Sequence, residues 1–180
     1  SLDEALRNEL GISAHDTVFI CVANLHINKG HTYLLSAFEQ VHRTHPHTKL
    51  LLVGDGLERA SLENQSRSSE ARDAIRFLGQ RSDVPKLLGL SHVFVLPTFF
   101  EGMCNAIMEA MAAGLSVVTS DIPENRELIT HEQTGLLCPV KDVTSLVLAL
   151  TRLLDHPEER RRFGEAASES IQRRYELHAS

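Results

Sequence analysis

The 180-residue chain has no tryptophan, few cysteines and no long apolar run. Its longest apolar stretches, at 49–54 and 92–96, are far shorter than the roughly 20 residues that cross a bilayer, so no membrane-spanning helix is predicted. Cys21, Cys104 and Cys138 lie far apart and form no CxxC pair. Neither a disulfide framework nor a zinc site is expected, and this pattern is typical of a reducing cytoplasm.

Positive charge is also scarce. The formal net charge is −6, and acidic and basic residues are interleaved along the chain, so no broad positive surface is available for a polyanion. We therefore expect no nucleic-acid partner. The densest histidine group, His42, His45 and His47, lies where a helix is predicted to end before Pro46. Histidines near a helix C-terminus are ordinarily solvated partners of the helix dipole, so no metal site is predicted there.

The common phosphate-binding loops are missing as well. No GxxxxGK[ST] occurs, which excludes the P-loop of nucleoside triphosphatases. Gly54-Asp-Gly56 permits a tight turn but does not extend to GxGxxG. A nicotinamide-dependent oxidoreductase is therefore the least favoured of the hypotheses that the fold class allows.

What the chain does contain is an alternation of short apolar runs with longer segments of helical period. This pattern predicts an α/β fold, a doubly wound Rossmann-like parallel sheet of about six strands with helices on both faces. The predicted strands are 17–23, 49–53, 74–78, 92–96, 115–119 and 135–138. The predicted helices are 2–10, one around 34–41, 57–71, one from 104 or 105, one from 143 to 154 capped by Asp142, and 157–175.

The most informative stretch is 97–114, which follows the fourth predicted strand. If its helix begins near Cys104, Glu101 precedes the helix and Glu109 sits one turn inside, roughly 6 Å of axis beyond the first free N–H groups. A helix N-terminus can hold a diphosphate, and ionised carboxylates on either side accept hydrogen bonds from ribose and sugar hydroxyls. The alternative is that both glutamates only complement the helix dipole, and the residues alone leave this open.

The stretch 101–114 resembles the retaining glycosyltransferases built from two Rossmann domains, the GT-B type of family 4. Their signature is a pair of glutamates separated by seven residues, which Glu101 and Glu109 match. Val53-Gly-Asp-Gly56, Phe77-Leu-Gly79 and Thr134-Gly-Leu-Leu137 fall in the same order as in the family. The resemblance covers essentially the whole chain. It implies that 1–180 is a single C-terminal nucleotide-sugar-binding domain, and that an N-terminal acceptor domain is absent from this chain.

The resemblance also implies a role for each matching residue. Lys29 would neutralise the diphosphate leaving group, and Glu109 would contact the ribose. The donor sugar would contact Glu101 and the amides of Gly102, Met103 and Cys104. The phosphates would contact the amides of Asn105 and Ala106, and the base would contact Gly79, Gln80 and Arg81.

One position departs from the family. Asn24 stands where members usually carry an arginine on the diphosphate, and losing that contact costs roughly 1.5–3 kcal/mol if it is buried. Arg126 is the candidate substitute, and otherwise donor binding is weakened.

The expected function is therefore transfer of a sugar from a UDP-sugar, GDP-sugar or similar donor, with retention at the anomeric carbon. Because no Asp-x-Asp occurs, neither a metal nor another cofactor is expected to be required. The chain alone is expected to bind donor without transferring it. The parent would be cytoplasmic, and contact with the cytoplasmic membrane face is allowed. The alternative is a nucleotide-sugar-binding module without catalysis.

Overall fold

The computed structural model describes residues 2–100, 102 and 104–179. Six strands form one sheet in the order β3-β2-β1-β4-β5-β6, and every neighbouring pair is parallel. The predicted fold class is confirmed. The strands are β1 (Thr17–Val22), β2 (Thr48–Val53), β3 (Ile75–Gly79), β4 (Val93–Leu96), β5 (Ser116–Ser120) and β6 (Gly135–Cys138).

Eight helices accompany the sheet within the described residues. Two short 3₁₀ turns, Ile27–Lys29 and Arg72–Ala74, complete the regular structure. The helices are α1 (Leu2–Leu10), α2 (His31–Thr44), α3 (Arg59–Arg67), α4 (Val84–Leu90), α5 (Asn105–Ala112), α6 (Pro123–Arg126), α7 (Val143–Asp155) and α8 (Pro157–Ala179). They cover both faces of the sheet, where α2 packs against α7 and α5 packs against α8.

The core is made by the strands themselves. Strands β2, β4 and β5 are buried along almost their whole length, as a parallel sheet covered on both faces requires. Phe19, Phe38 and Phe94 are among the largest fully buried side chains. All three cysteine side chains are buried thiols.

The predicted strand boundaries agree with the structure to within one residue. Ala74 belongs to the 3₁₀ turn rather than to β3, and Gly79 belongs to β3, because Gly79 pairs with Val53 in the sheet. His92 precedes β4 and is hydrogen-bonded to β1, since its backbone N–H donates to the Val18 carbonyl at 2.9 Å.

The helix predictions contain one clear error. The polar helix expected at 57–71 is confined to Arg59–Arg67. It starts late because the Glu58 amide donates to the Leu25 carbonyl at 3.0 Å. It ends where the Ser68 amide donates to the carbonyls of Asn64 and Gln65. Two short helices, α4 and α6, were not predicted. The helix capped by Asp142 is confirmed, because its carboxylate accepts from the Ser145 amide at 2.9 Å.

Strand order fixes where a ligand crevice lies. The chain moves outward from β1 to β3 and then returns to β4, so β1 and β4 are neighbours whose connections run to opposite sides. Open α/β sheets bind ligands at such a switch point, outside the carboxyl ends of the strands. The loop after β1 carries Lys29, and the loop after β4 leads into α5.

Candidate functional site

The loops after β1 and β4 are joined directly at the switch point. The Phe99 amide donates to the Asn28 carbonyl at 2.8 Å, and the Thr98 hydroxyl donates to the same oxygen at 3.1 Å. Gly30 has φ 79°, and a Cβ atom there would stand 2.0 Å from the Pro97 carbonyl oxygen. Only glycine meets both conditions, so Lys29 is held against the loop that enters α5.

A second glycine brings the loops after β1, β2 and β3 together. Gly54 has φ 130°, and a Cβ atom there would lie 2.0 Å from the Ala23 carbonyl oxygen. Its amide donates to the Gly79 carbonyl at 2.8 Å. The three strand ends therefore form one continuous wall.

Between these loops lies a groove of about 420 Å³, within the range of about 300–1,000 Å³ typical of small-molecule sites. It runs from the ends of β1 and β2 to the first turns of α4 and α5. Its lining residues are Val22, Ala23, Asn24, Lys29, Val53, Gly54, Gln80, Arg81, Val84, Ala106 and Glu109.

Half of the residues predicted from the sequence line this groove, namely Asn24, Lys29, Gln80, Arg81, Ala106 and Glu109. The others lie close by in the chain without lining it. Gly79 ends β3, Cys104 is buried at the N-cap of α5, and Gly102 and Asn105 are exposed beside it. Glu101 and Met103 lie outside the described residues.

The groove combines positive charge with the N-terminus of a helix. Lys29 is half-buried, and the side chain of Cys104, the N-cap residue of α5, makes no capping hydrogen bond. Amide groups at such an end attract anions. Glu109 is exposed one turn further along α5, where its carboxylate can accept hydrogen bonds from hydroxyl groups.

Arg81 is the second cation of the groove, and its carboxylate partners fix its orientation. Two of its nitrogens donate to Asp83, at 2.9 and 2.8 Å, and a third lies 3.7 Å from Glu9 of α1. Hydrogen bonds from Arg81 hold the pKa of Asp83 below its usual value. Arg126, the predicted substitute for a missing arginine, does not line the groove and instead donates to Asp121 at 2.6 Å.

The sequence did not indicate the buried residue behind Lys29. His31 is 2% exposed, and its Nε2 lies 3.6 Å from the Cys21 thiol. Burial, and then the charge of Lys29, lower the pKa of His31 to about 4, and burial raises the pKa of Cys21 to about 12. Both groups are therefore neutral at pH 7.

The partners of Arg81 were also missed. The run Asp83-Val-Pro85 carries a usable signal, because aspartate before a proline is typical of a helix start. It predicts α4, yet the Asp83 carboxylate binds Arg81 instead of capping the helix. The ion pair between Arg81 and Glu9 joins residues 72 positions apart, so no local sequence pattern reveals it.

Three further observations concern the rest of the described chain. No cluster of three or more possible metal ligands exists among residues 2–100, 102 and 104–179. A larger groove of about 490 Å³ lies between α2 and α3, but its Arg43 is paired with Glu39 and Glu70. None of the described helices combines the length and hydrophobicity that crossing a bilayer requires.

Comparison with known proteins identifies the family. The family model for glycosyl transferases group 1 matches residues 3–170. The chain belongs to this family. Among its group 1 relatives, N-acetyl-alpha-D-glucosaminyl L-malate synthase of Bacillus anthracis is 32% identical over 92% of this chain, and glycogen synthase of Mycobacterium tuberculosis is 35% identical over 83%.

Solved structures show the same GT-B half. Anabaena Alr3699/HepE in complex with UDP superposes with a TM-score of 0.88 over 96% of this chain, at 25% identity. Sucrose-phosphate synthase of Thermosynechococcus elongatus gives 0.84 over 94%, at 28% identity. This group 1 chain spans 43% of the Bacillus relative and 48% of the Anabaena structure, so it is about half the length of the proteins it matches.

Proposed function

We propose that this chain is the donor-binding domain of a retaining glycosyltransferase of family 4, and that the groove holds a nucleotide diphosphate sugar. The observation that carries the proposal is the convergence of Lys29, Glu109 and the N-terminus of α5 on one groove at the β1/β4 switch point. A cation and the amides of a helix N-terminus suit a diphosphate, and a carboxylate one turn away suits a ribose diol.

The proposed layout runs along the groove. Lys29 and the amides of Asn105 and Ala106 bind the diphosphate, so that charge developing on the leaving group is stabilised in place. Glu109 binds the ribose, and the base lies against Gly79, Gln80 and Arg81. In this layout the sugar contacts Glu101 and the amides of Gly102, Met103 and Cys104. The family resemblance supports these last roles.

UDP is the favoured nucleotide. The Anabaena protein of 25% identity is solved with UDP, and its fold matches this chain over 96% of its length. Lys29 and the end of α5 supply positive charge from the protein itself, so we propose that neither a metal ion nor another cofactor is required.

We further propose that the acceptor site belongs to a second domain outside residues 1–180, so that the chain binds donor but does not transfer sugar. This would be a cytoplasmic enzyme, with contact at the cytoplasmic membrane face in its longer form. The rival function is a binding module without catalysis, which Asn24 favours because an amide supplies no charge to the diphosphate.

Calorimetric titration of the chain with UDP-glucose, GDP-mannose and ADP-glucose tests the proposal. We expect saturable binding of at least one donor, without added metal and unchanged by a chelator. Lys29→Gln should weaken that binding about tenfold or more, the loss of one charge-assisted contact. Glu165→Gln, an exposed change on α8, is the matched control.

Failure of all three donors to bind would contradict the proposed function. Transfer by a longer form of the protein, followed by analysis of the product anomer, distinguishes a retaining enzyme from a binding module. A product of inverted configuration would exclude retention.

A further inference from the structure

A third groove, of about 370 Å³, lies at the opposite edge of the sheet from the groove at the β1/β4 switch point, which we call the donor groove. It is formed where β4 and β5 begin, between the last turns of α4 and α5 and the first turns of α8. His92 precedes β4, while Arg160 and Arg161 lie near the start of α8. We call it the arginine groove.

The arginines of this groove are not matched by acidic groups. Arg162 is paired with Glu159, and Arg152 with Glu159 and Glu132. In contrast, Arg160 and Arg161 have no carboxylate within 4 Å in the part of the chain that the structure describes, and no acidic residue lines the groove. Two positively charged residues therefore line a space without an acidic partner.

His92 adds a neutral donor of fixed direction. Its Nδ1 accepts the Val18 amide at 2.9 Å, so the ring proton at neutral pH is on Nε2. Burial, then the charges of Arg160 and Arg7, lower the pKa of His92, which keeps the ring neutral. Burial, then Arg161, lower the pKa of Arg160.

The arginine-bearing turn is anchored to the body of the protein. The Ser116 hydroxyl donates to the Arg160 carbonyl, and an Arg160 N–H donates to the Leu153 carbonyl at 3.1 Å. A Cβ atom at Gly164 would lie 2.1 Å from the Gly114 carbonyl oxygen, so α8 lies directly on the end of α5. Fixed donors lose little freedom when a ligand binds.

Two glycines line the groove, and the space beside each of them is open. A Cβ atom at Gly89 or at Gly114 would meet no atom within 4 Å. The C-terminal end of a helix carries partial negative charge, so the ends of α4 and α5 offset part of the two guanidinium charges. Arg161 has up to five N–H donors, and Arg160 keeps those that do not donate to Leu153.

We propose that the arginine groove binds the phosphate group of a small metabolite of sugar-phosphate size. Guanidinium groups match phosphate oxygens in bidentate geometry, and the volume exceeds what one inorganic phosphate fills. The site is separate from the donor groove and stands whether or not the chain binds nucleotide sugars.

Amide NMR titration of the labelled chain with inorganic phosphate and with glucose 6-phosphate tests the proposal. We expect saturable shifts at residues 89–92, 113–115 and 160–161, with tighter binding of glucose 6-phosphate. Gly89→Glu should remove the shifts, because an acidic side chain then enters the groove, whereas the matched Gly89→Ala should keep them. Arg161→Gln should weaken binding about tenfold, and Arg162→Gln should leave it unchanged.

Lys29→Gln must leave these shifts intact, since that residue belongs to the donor groove. Absence of saturation at millimolar ligand, or equal binding by Gly89→Glu and Gly89→Ala, would overturn the proposal. Shifts caused by phosphatidylglycerol vesicles but not by either small ligand would also overturn it, in favour of a membrane contact.

Discussion

Replacing Gly30 with alanine places a methyl group 2.0 Å from the Pro97 carbonyl oxygen in a backbone that has φ 79°. Both the left-handed conformation and the clash act against this variant. Two other glycines separate the two effects. Gly114 has φ 80° but open space around it, and Gly89 has open space in a helix without positive φ.

The three substitutions should therefore change the free energy of unfolding by three different amounts. Gly89→Ala should stabilise the protein by about 0.5–1 kcal/mol, because a helical glycine loses entropy on folding. Gly114→Ala should cost about 1–2 kcal/mol, the strain of a left-handed residue with a Cβ atom. Gly30→Ala adds overpacking of about 1–3 kcal/mol and should cost about 2–5 kcal/mol in total.

Urea denaturation measures these changes in the free energy of unfolding. Thermal unfolding offers a check, since 1 kcal/mol corresponds to a shift of about 2–4 °C in the melting temperature at this chain length. Gly30→Ala should also weaken UDP binding, because the Lys29 loop must move away from Pro97. Gly114→Ala, equal in backbone strain but outside the lining of the donor groove, should bind UDP normally. If Gly30→Ala is no less stable than Gly114→Ala, the close approach of the two loops is refuted.

Two further predictions concern the surroundings of Lys29. Asn24→Arg should tighten UDP binding about tenfold, because it adds a charge-assisted contact in the groove; unchanged affinity in calorimetry would show that Asn24 does not face the diphosphate. His31 should make stability depend on pH: its folded pKa of about 4 lies below the unfolded value of about 6.5, so the unfolded state binds more protons between these limits. Stability should fall as pH drops from about 6.5 to 4, by up to about 3 kcal/mol, and His31→Gln should show a flatter profile in urea denaturation; parallel profiles would contradict this.

The sheet could be predicted because its strands are short and nearly uniformly apolar runs. Strands such as 135–138 are buried between helices on both faces, so burial leaves a signal in each residue. The helix at 143–154 repeats apolar residues at three and four positions, and Asp142 caps it as expected. These features depend only on neighbours along the chain.

The errors arise where distant backbone groups decide the outcome. Leu57 and Glu58 have no local feature that excludes a helix, yet the Glu58 amide is taken by the Leu25 carbonyl. Gly79 was expected to stop β3, but it accepts from the Gly54 amide and pairs with Val53. Strand pairing between distant segments overrides the usual tendency of a glycine to end a strand.

The residues of the site also divide into those that a local motif indicates and those that only long-range contacts bring together. Glu109 and Lys29 stand in local motifs that the family resemblance matched, and the structure brings both to one groove. Glu9 on Arg81 and Cys21 beside His31 are contacts between separate elements, so their chemistry follows from the fold and not from spacing. The arginine groove is likewise assembled from α4, α5 and α8.

The most direct test of the central claim is a double-mutant cycle at the ribose. Calorimetry would compare UDP with 2′,3′-dideoxy-UDP, on the unaltered chain and on Glu109→Ala. If Glu109 binds the ribose diol, removing the hydroxyls weakens binding to the unaltered chain by about tenfold or more, and has little effect on Glu109→Ala. Equal losses on both proteins would contradict the account, because the diol would then be bound elsewhere.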